Sequence, residues 1–236
     1  MCGRFTLAIS ATQLAEYIVK RYQITSQLPT VELPQFNVAP GQNIVSILHD
    51  GKKYRIGTLK WGFVNELDEN DNVSFSMINA KAETLFTRPT FKDAALHRRC
   101  VILADSFYEW NKLDKNQRPR RILTTDQKIF PMAGIWTTVT KKDGSKMHTV
   151  AIVTTTANEL VANLHDRMPV ILDEASEAVW LNPVIVDQGQ LEKLLKPYQA
   201  HFMTMHQVTK KIGSPSFDTE EAIDPINDDD DDPKLV

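Results

Sequence analysis

The 236-residue chain has only two cysteines, Cys2 and Cys100, too few for a disulfide framework. A reducing compartment would keep both as thiols. No apolar run approaches the roughly 20 residues of a membrane-spanning helix. The first residues lack the basic start and apolar stretch of a secretory signal, so a cytosolic location with no membrane partner is expected. There is no CxxC, no HExxH and no glycine-rich phosphate loop, and the six histidines are scattered. Neither a metal nor any other cofactor is therefore expected. Internal repeats are absent as well.

What is present is an ordinary globular composition, 42% apolar and 24% charged. The net charge of −3 conceals an asymmetry. Nine acids but only Lys234 among the bases fall at Asp218 and beyond, so residues 1–217 hold 26 bases against 21 acids, a body of +5. That excess permits a nucleic-acid partner without demanding one. The composition predicts one domain over 1–217 and an acidic, disordered tail over 218–236, with the run Asp228–Asp232 solvated.

Periodicity predicts a helix after Ser10 or Thr12 through Leu14, Tyr17, Ile18 and Tyr22. Strands are predicted over 44–49, 54–63, 100–110, 121–125, 129–139, 149–155 and 201–208. Further helices are predicted from Pro89 to Leu96, from Asn158 to near His165, over 174–180 and over 188–195. Hairpin connections, such as the turn Lys142-Asp143-Gly144, outnumber βαβ units. The expected class is α+β, a single domain with a mainly antiparallel, barrel-like sheet flanked by helices.

Cys2 stands directly behind the initiator methionine. A small second residue normally allows Met1 to be removed. Cys2 would then carry an α-amine and a thiol on adjacent carbons, with ordinary pKa values of about 7.7–8.0 and about 8.5. With an aldehyde, the amine forms a Schiff base, and the thiol can close a five-membered thiazolidine that water does not readily reverse. Cys100, inside the apolar run 100–104, reads instead as a buried, inert thiol.

Three other segments set polar groups among well-packed flanks. Asn79 lies between Ile78 and Ala80, an amide in apolar surroundings that must find hydrogen bonds. Glu109 lies among Phe107, Tyr108 and Trp110, where a poorly solvated carboxyl is suited to passing protons; an outward-facing glutamate on an edge strand fits the same pattern. His165 follows a short helical stretch, where a histidine also serves stability. Arg4, Lys81, Arg88 and Arg167 are candidate phosphate contacts.

The segments MCGRF, FNVAPG, LKWGF, INAKAET, CVILADSFYEW, MAGIW, AIVTTTAN and LHDRMPVIL occur in this order. Together they resemble the SRAP family, the SOS-response-associated proteins that process abasic sites in DNA, from Cys2 to about residue 210. The resemblance implies a protein that crosslinks itself to abasic sites in single-stranded DNA, possible substrates including junctions with duplex, and that works as a monomer. It implies Cys2 as nucleophile, Asn79 as the group holding the sugar oxygen, Glu109 as the proton carrier, and His165 as its assistant in forming and reversing the adduct. Thr154 matches a hydroxyl of the same pocket. Asn37, Pro40 and Trp61 (with Gly62) match elements that meet the DNA, the last two wedging where a duplex ends. Arg4, Lys81, Arg88 and Arg167 complete the DNA-facing set. Relatives usually carry arginine at position 81; lysine keeps the charge and loses bidentate geometry.

Two other readings use the same residues. A thiol peptidase would employ Cys2, His165 and Asn79, and could cut away its own Met1. A non-enzymatic binding module would use the acidic tail and be indifferent to loss of the Cys2 thiol.

Overall fold

The computed structural model describes residues 2–73, 75–111 and 118–226. In chain order the elements are β1 (Phe5–Leu7), α1 (Ala11–Tyr22), β2 (Gln35–Val38), β3 (Asn43–His49), β4 (Tyr54–Trp61), β5 (Asn79–Lys81) and α2 (Pro89–His97). Then follow β6 (Arg99–Ala104), β7 (Ser106–Trp110), β8 (Pro119–Thr124), β9 (Phe130–Thr140), β10 (Lys146–Thr156) and β11 (Arg167–Pro169). The chain continues through α3 (Glu174–Leu181), α4 (Gln188–Glu192) and β12 (Met203–Gln207). The class is α+β, as expected.

Five strands close a barrel. β10, β4, β3, β6 and β9 pair in that order, and the β9–β10 hairpin seals the ring through Lys146↔Thr140 to Ile152↔Gly134. β4 and β10 run parallel; the other four pairings of the ring are antiparallel. Gly134 is required where three strands crowd, because a Cβ there would lie 2.4 Å from Ile102 Cδ1 and 3.0 Å from Cys100 Sγ. The short strands β5 and β11 both attach to β10. A second, open sheet has the order β12-β8-β7-β1-β2.

Strand alternation divides the core. On β6, Val101 and Leu103 join the cluster shared with α1, α2 and α3, whereas Cys100, Ile102 and Ala104 join the cluster shared with the second sheet. On β10, Ala151 and Val153 go one way and Val150 and Ile152 the other. This is the period-two alternation of a strand covered on both faces. Cys100 is fully buried, as read, and burial pushes its thiol pKa up.

Helix α1 starts where its capping chemistry dictates: Ser10 accepts from the Gln13 N–H while the Gln13 side chain accepts from the Ser10 N–H. It buries Leu14, Ile18 and Tyr22 and ends at Gln23 with φ +56°. Pro89 opens α2, a position where a missing N–H costs nothing.

Three expectations are corrected. The predicted strand 100–110 is two strands in different sheets, separated at Asp105. That carboxylate receives Thr6 Oγ1 at 2.7 Å, the Ala8 N–H at 2.8 Å and Arg121 Nη2 at 2.9 Å. The helix expected from Asn158 to near His165 is only the 3-10 turn Val161–Asn163, ahead of which the Asn158 side chain accepts the Val161 N–H.

The third concerns the boundary at 217/218, which falls inside packed chain. Asp218 Oδ1 accepts from the backbone N–H groups of Phe36 and Asn37 at 2.5 and 2.9 Å. Ala222 is buried with Tyr108, Val208 and Ile212, and the Ile226 N–H bonds to Gln207 O. Charge content marked this segment as tail, but its apolar residues dock. The Asp228–Asp232 run lies outside the described residues, as does Met1. Among the described residues no helix is long and apolar enough to cross a membrane.

Candidate active site

The site forms where the open sheet meets the barrel. β1 pairs with β7 through Phe5↔Phe107 and Thr6↔Ser106, and the Tyr108 N–H bonds to Arg4 O. Antiparallel pairing carried back along β1 sets Cys2 beside the stretch of β7 that holds Glu109. β5, attached to β10 through Ile152↔Asn79, brings Asn79 from the barrel side. Its Nδ2 donates to Cys2 O at 3.0 Å. A three-residue strand would hold the preceding residues poorly; this side-chain bond fixes the Cys2 carbonyl.

Cys2 is fully enclosed, in one apolar cluster with Phe5, Trp61, Ile78, Leu164 and Met168. Burial pushes its thiol pKa strongly up, and the Glu109 carboxylate beside it pushes further the same way. The thiol is therefore neutral at physiological pH, and a reaction at sulfur needs a base. Glu109, 3% exposed, is the acid whose charge the thiol senses.

Asn79 donates one amide hydrogen to Cys2 O, while its Oδ1 is buried without a hydrogen-bond partner. An unfilled buried acceptor costs about 1–3 kcal/mol. Such a group is an exception among buried polar atoms that calls for an explanation.

His165 is buried beside Leu164, a member of the Cys2 cluster. Its Nδ1 stands 3.0 Å from the Arg167 N–H and 2.7 Å from Asp166 Oδ1. In the neutral ring Nδ1 accepts from Arg167 and the proton sits on Nε2; a protonated ring turns Nδ1–H to Asp166. The histidine thus has a partner in either state.

The DNA-facing candidates divide. Pro40, Lys81 and Arg88 are exposed. Pro40 sits in a turn pinned to β4 by Gly41 N–H to Trp61 O, 2.8 Å, and Trp61 N–H to Gln42 O, 2.9 Å. Lys81 shares β5 with Asn79, two residues on and so on the same strand face. Arg88 precedes α2, its guanidinium 5.5 Å from the centre of the Phe91 ring.

Trp61, Asn37, Thr154 and Arg167 are buried and Arg4 is half-buried, each held by contacts within the protein. Trp61, 1% exposed, donates Nε1–H to Ile78 O and packs on Phe5 at 5.3 Å between ring centres. Asn37 is fully buried, its amide within reach of Ile212, Ser214 and Phe217 carbonyls. Arg4 donates to Asn37 Oδ1, Ile212 O and Gly213 O. Arg167 forms a two-pronged pair with Glu83 at 2.6 and 2.9 Å and donates to Thr154 O at 2.6 Å. Those bonds hold the Glu83 carboxyl pKa low, and Thr154 is buried beneath them. Cation and hydroxyl here join β11 to β10 and to the turn after β5.

Phe75 was not anticipated. It is 71% exposed, four residues before Asn79, in the stretch that leads into the Phe63↔Met77 bridge. Its only sequence signal is a phenylalanine set between serines in a polar loop. A cleft of ≈ 510 Å³ between α1 and Gln127–Ile129 shares no lining residue with the site. Among the described residues no group of three or more histidines, cysteines or acids is placed to hold a metal ion.

The fold thus encloses a second-position cysteine where barrel and open sheet meet, with an amide on its carbonyl and a carboxylate near its thiol. The chain belongs to the SOS response associated peptidase (SRAP) family, which it matches over residues 1–215. It is 41% identical over 228 residues to the abasic site processing protein YoqW of Bacillus subtilis, covering 95% of this chain and 99% of the relative. It is 28% identical over 265 residues to the abasic site processing protein HMCES of Gallus gallus, covering 96% and 78%. The fold superposes on the crystal structure of a Bacteroides thetaiotaomicron protein with a TM-score of 0.82 over 96% of this chain and 100% of that one, at 24% identity.

Proposed function

We propose that the protein processes abasic sites in single-stranded DNA by linking itself covalently to them through Cys2, after Met1 has been removed. The observation that carries this reading is the enclosure of Cys2 between the Asn79 amide and the Glu109 carboxylate. An abasic site exposes an aldehyde and lacks a base, so a closed pocket need admit only a sugar.

The chemistry follows in two balanced steps. The Cys2 amine adds to the aldehyde carbon and water leaves, giving an imine. The thiol then adds to the imine carbon, its proton ends on the nitrogen, and the thiazolidine ring closes. Glu109 takes the proton from the neutral sulfur and returns it, as general base and then acid. Asn79 Oδ1 accepts from a sugar hydroxyl. His165 moves protons in forming and reopening the ring. Thiol capture also protects the strand, because an imine left standing acidifies the neighbouring carbon and favours β-elimination.

The DNA strand runs over Pro40, Lys81 and Arg88, with Phe75 supplying the stacking surface that Trp61 does not. The name of the family and the names of the relatives support DNA as partner. The peptidase reading survives as one self-directed event, release of Met1.

The test is incubation with an oligonucleotide carrying one abasic site, followed by a denaturing gel without borohydride and by intact mass. A heat-resistant adduct on protein lacking Met1 is expected. Retention of Met1 in the linked protein, or an equally durable adduct with Cys2→Ser, would overturn the reading.

A further inference from the structure

We propose that residues 209–226 form a strap that positions the reacting N-terminus, and that Asp218 is the positioning residue that locks it. The proposal rests on the reading of Cys2 as nucleophile.

The strap holds the residues beside each reacting group. Arg4, two residues from Cys2, is bound by the strap carbonyls of Ile212 and Gly213 at 2.6 and 3.0 Å. Tyr108, next to Glu109, donates its O–H to Ala222 O at 3.2 Å and to Phe36 O at 2.8 Å. Asn37 links both, accepting from Arg4 at 2.9 Å while its Nδ2 meets Ile212, Ser214 and Phe217 carbonyls at 2.8–3.1 Å. Asp218 then closes the assembly by capping the N–H groups of Phe36 and Asn37. The strap is braced internally by Lys211 Nζ to Glu221 at 2.8 Å.

Two residues span at most about 7 Å of chain, so a shift at Arg4 is passed on to Cys2. Chain ends ordinarily fray. Here β1 has three residues, and a nucleophile preceding it needs a further anchor. A displacement near 1 Å can cost about a hundredfold in rate. The family model's match ends at residue 215, three residues before Asp218.

The experiment compares full-length Asp218→Ala with Asp218→Asn. Asn keeps a side-chain oxygen for both N–H groups, although a neutral acceptor binds about half as strongly. Two readouts are taken: the crosslinking rate at saturating abasic DNA with the half-saturating DNA concentration, and alkylation of Cys2 and Cys100 by iodoacetamide, located by mass spectrometry. Asp218→Ala should slow crosslinking by about ten- to a hundredfold without moving half-saturation. It should also raise Cys2 alkylation about tenfold while Cys100 stays protected. Asp218→Asn should restore both to within about threefold of the parent. Unchanged Cys2 alkylation in Asp218→Ala overturns the inference. So does equal exposure of both cysteines, which signals general loosening. Selective Cys2 exposure in a protein whose parent never crosslinks DNA supports the strap and sinks the reading of function instead.

Discussion

The pocket around Cys2 and the rim carrying Pro40, Phe75, Lys81 and Arg88 differ in how their side chains are held. Around Cys2 several side chains are held by the fold: Asn79 by a carbonyl, His165 by a backbone N–H, Arg167 by Glu83 and Thr154. At the rim, Lys81 and Arg88 are exposed and Phe75 shows most of its ring to water. Order is useful where atoms must meet within tenths of an ångström. Loosely held charge and ring surface suffice for a flexible polyanion. The pocket should therefore govern the rate of an already bound complex, and the rim the encounter.

The largest effect expected is total. Cys2→Ala should abolish the heat-resistant adduct, and Cys2→Ser should leave only an imine that hydrolyses; gel analysis after heating distinguishes them. Glu109→Gln should come next. Loss of a general acid–base group typically slows a reaction by about 10²–10⁴. Single-turnover rates at saturating DNA should fall on that scale while half-saturation stays put. A change confined to half-saturation would move Glu109 from the pocket to the rim in function.

Trp61 tests the border between the regions. Its side chain fills the core between Phe5 and Ile78, so Trp61→Ala should destabilise the fold by about 3–5 kcal/mol in denaturant titrations. If Trp61 instead met the DNA, stability would hold and affinity would drop.

Trp61 also shows where the sequence was legible and where it was not. Barrel, sheet character and the starts of α1 and α2 were readable because alternation, Ser10 and Pro89 are local signals. The pocket was readable in part: an asparagine and a glutamate among apolar residues must be satisfied or functional. The enclosure of Trp61 was available in principle, since Leu59 and Trp61 alternate with exposed Lys60. The fates of Arg4 and Arg167 were not. A base looks alike at the surface and in an ion pair, and the partners lie far off in the chain: Glu83 is 84 residues from Arg167, and Ile212 is 208 from Arg4. The docking of the segment from Asp218 was missed because its acids resemble those of the terminal run, while Ala222, Ile223 and Ile226 gave too few apolar residues to register as a docked segment.

The rim carries the smallest expected effects, and two kinds of variant separate its parts. Phe75→Ala should weaken binding of an abasic oligonucleotide by about 1–3 kcal/mol, the usual worth of one stacked base, and Phe75→Tyr should preserve it. Lys81→Ala and Arg88→Ala should each cost less at physiological salt. Each should also reduce the slope of log affinity against log salt by about 0.7, the value for one phosphate contact on a single strand. Lys81→Arg should restore the slope, because charge sets it, and any gain beyond the parent would report two-pronged phosphate contact. None of the three should alter the rate at saturating DNA. A cation on this rim that slowed the saturated reaction would belong with Asn79 on the shared face of β5, and the boundary between holding the strand and holding the sugar would run through Lys81 itself.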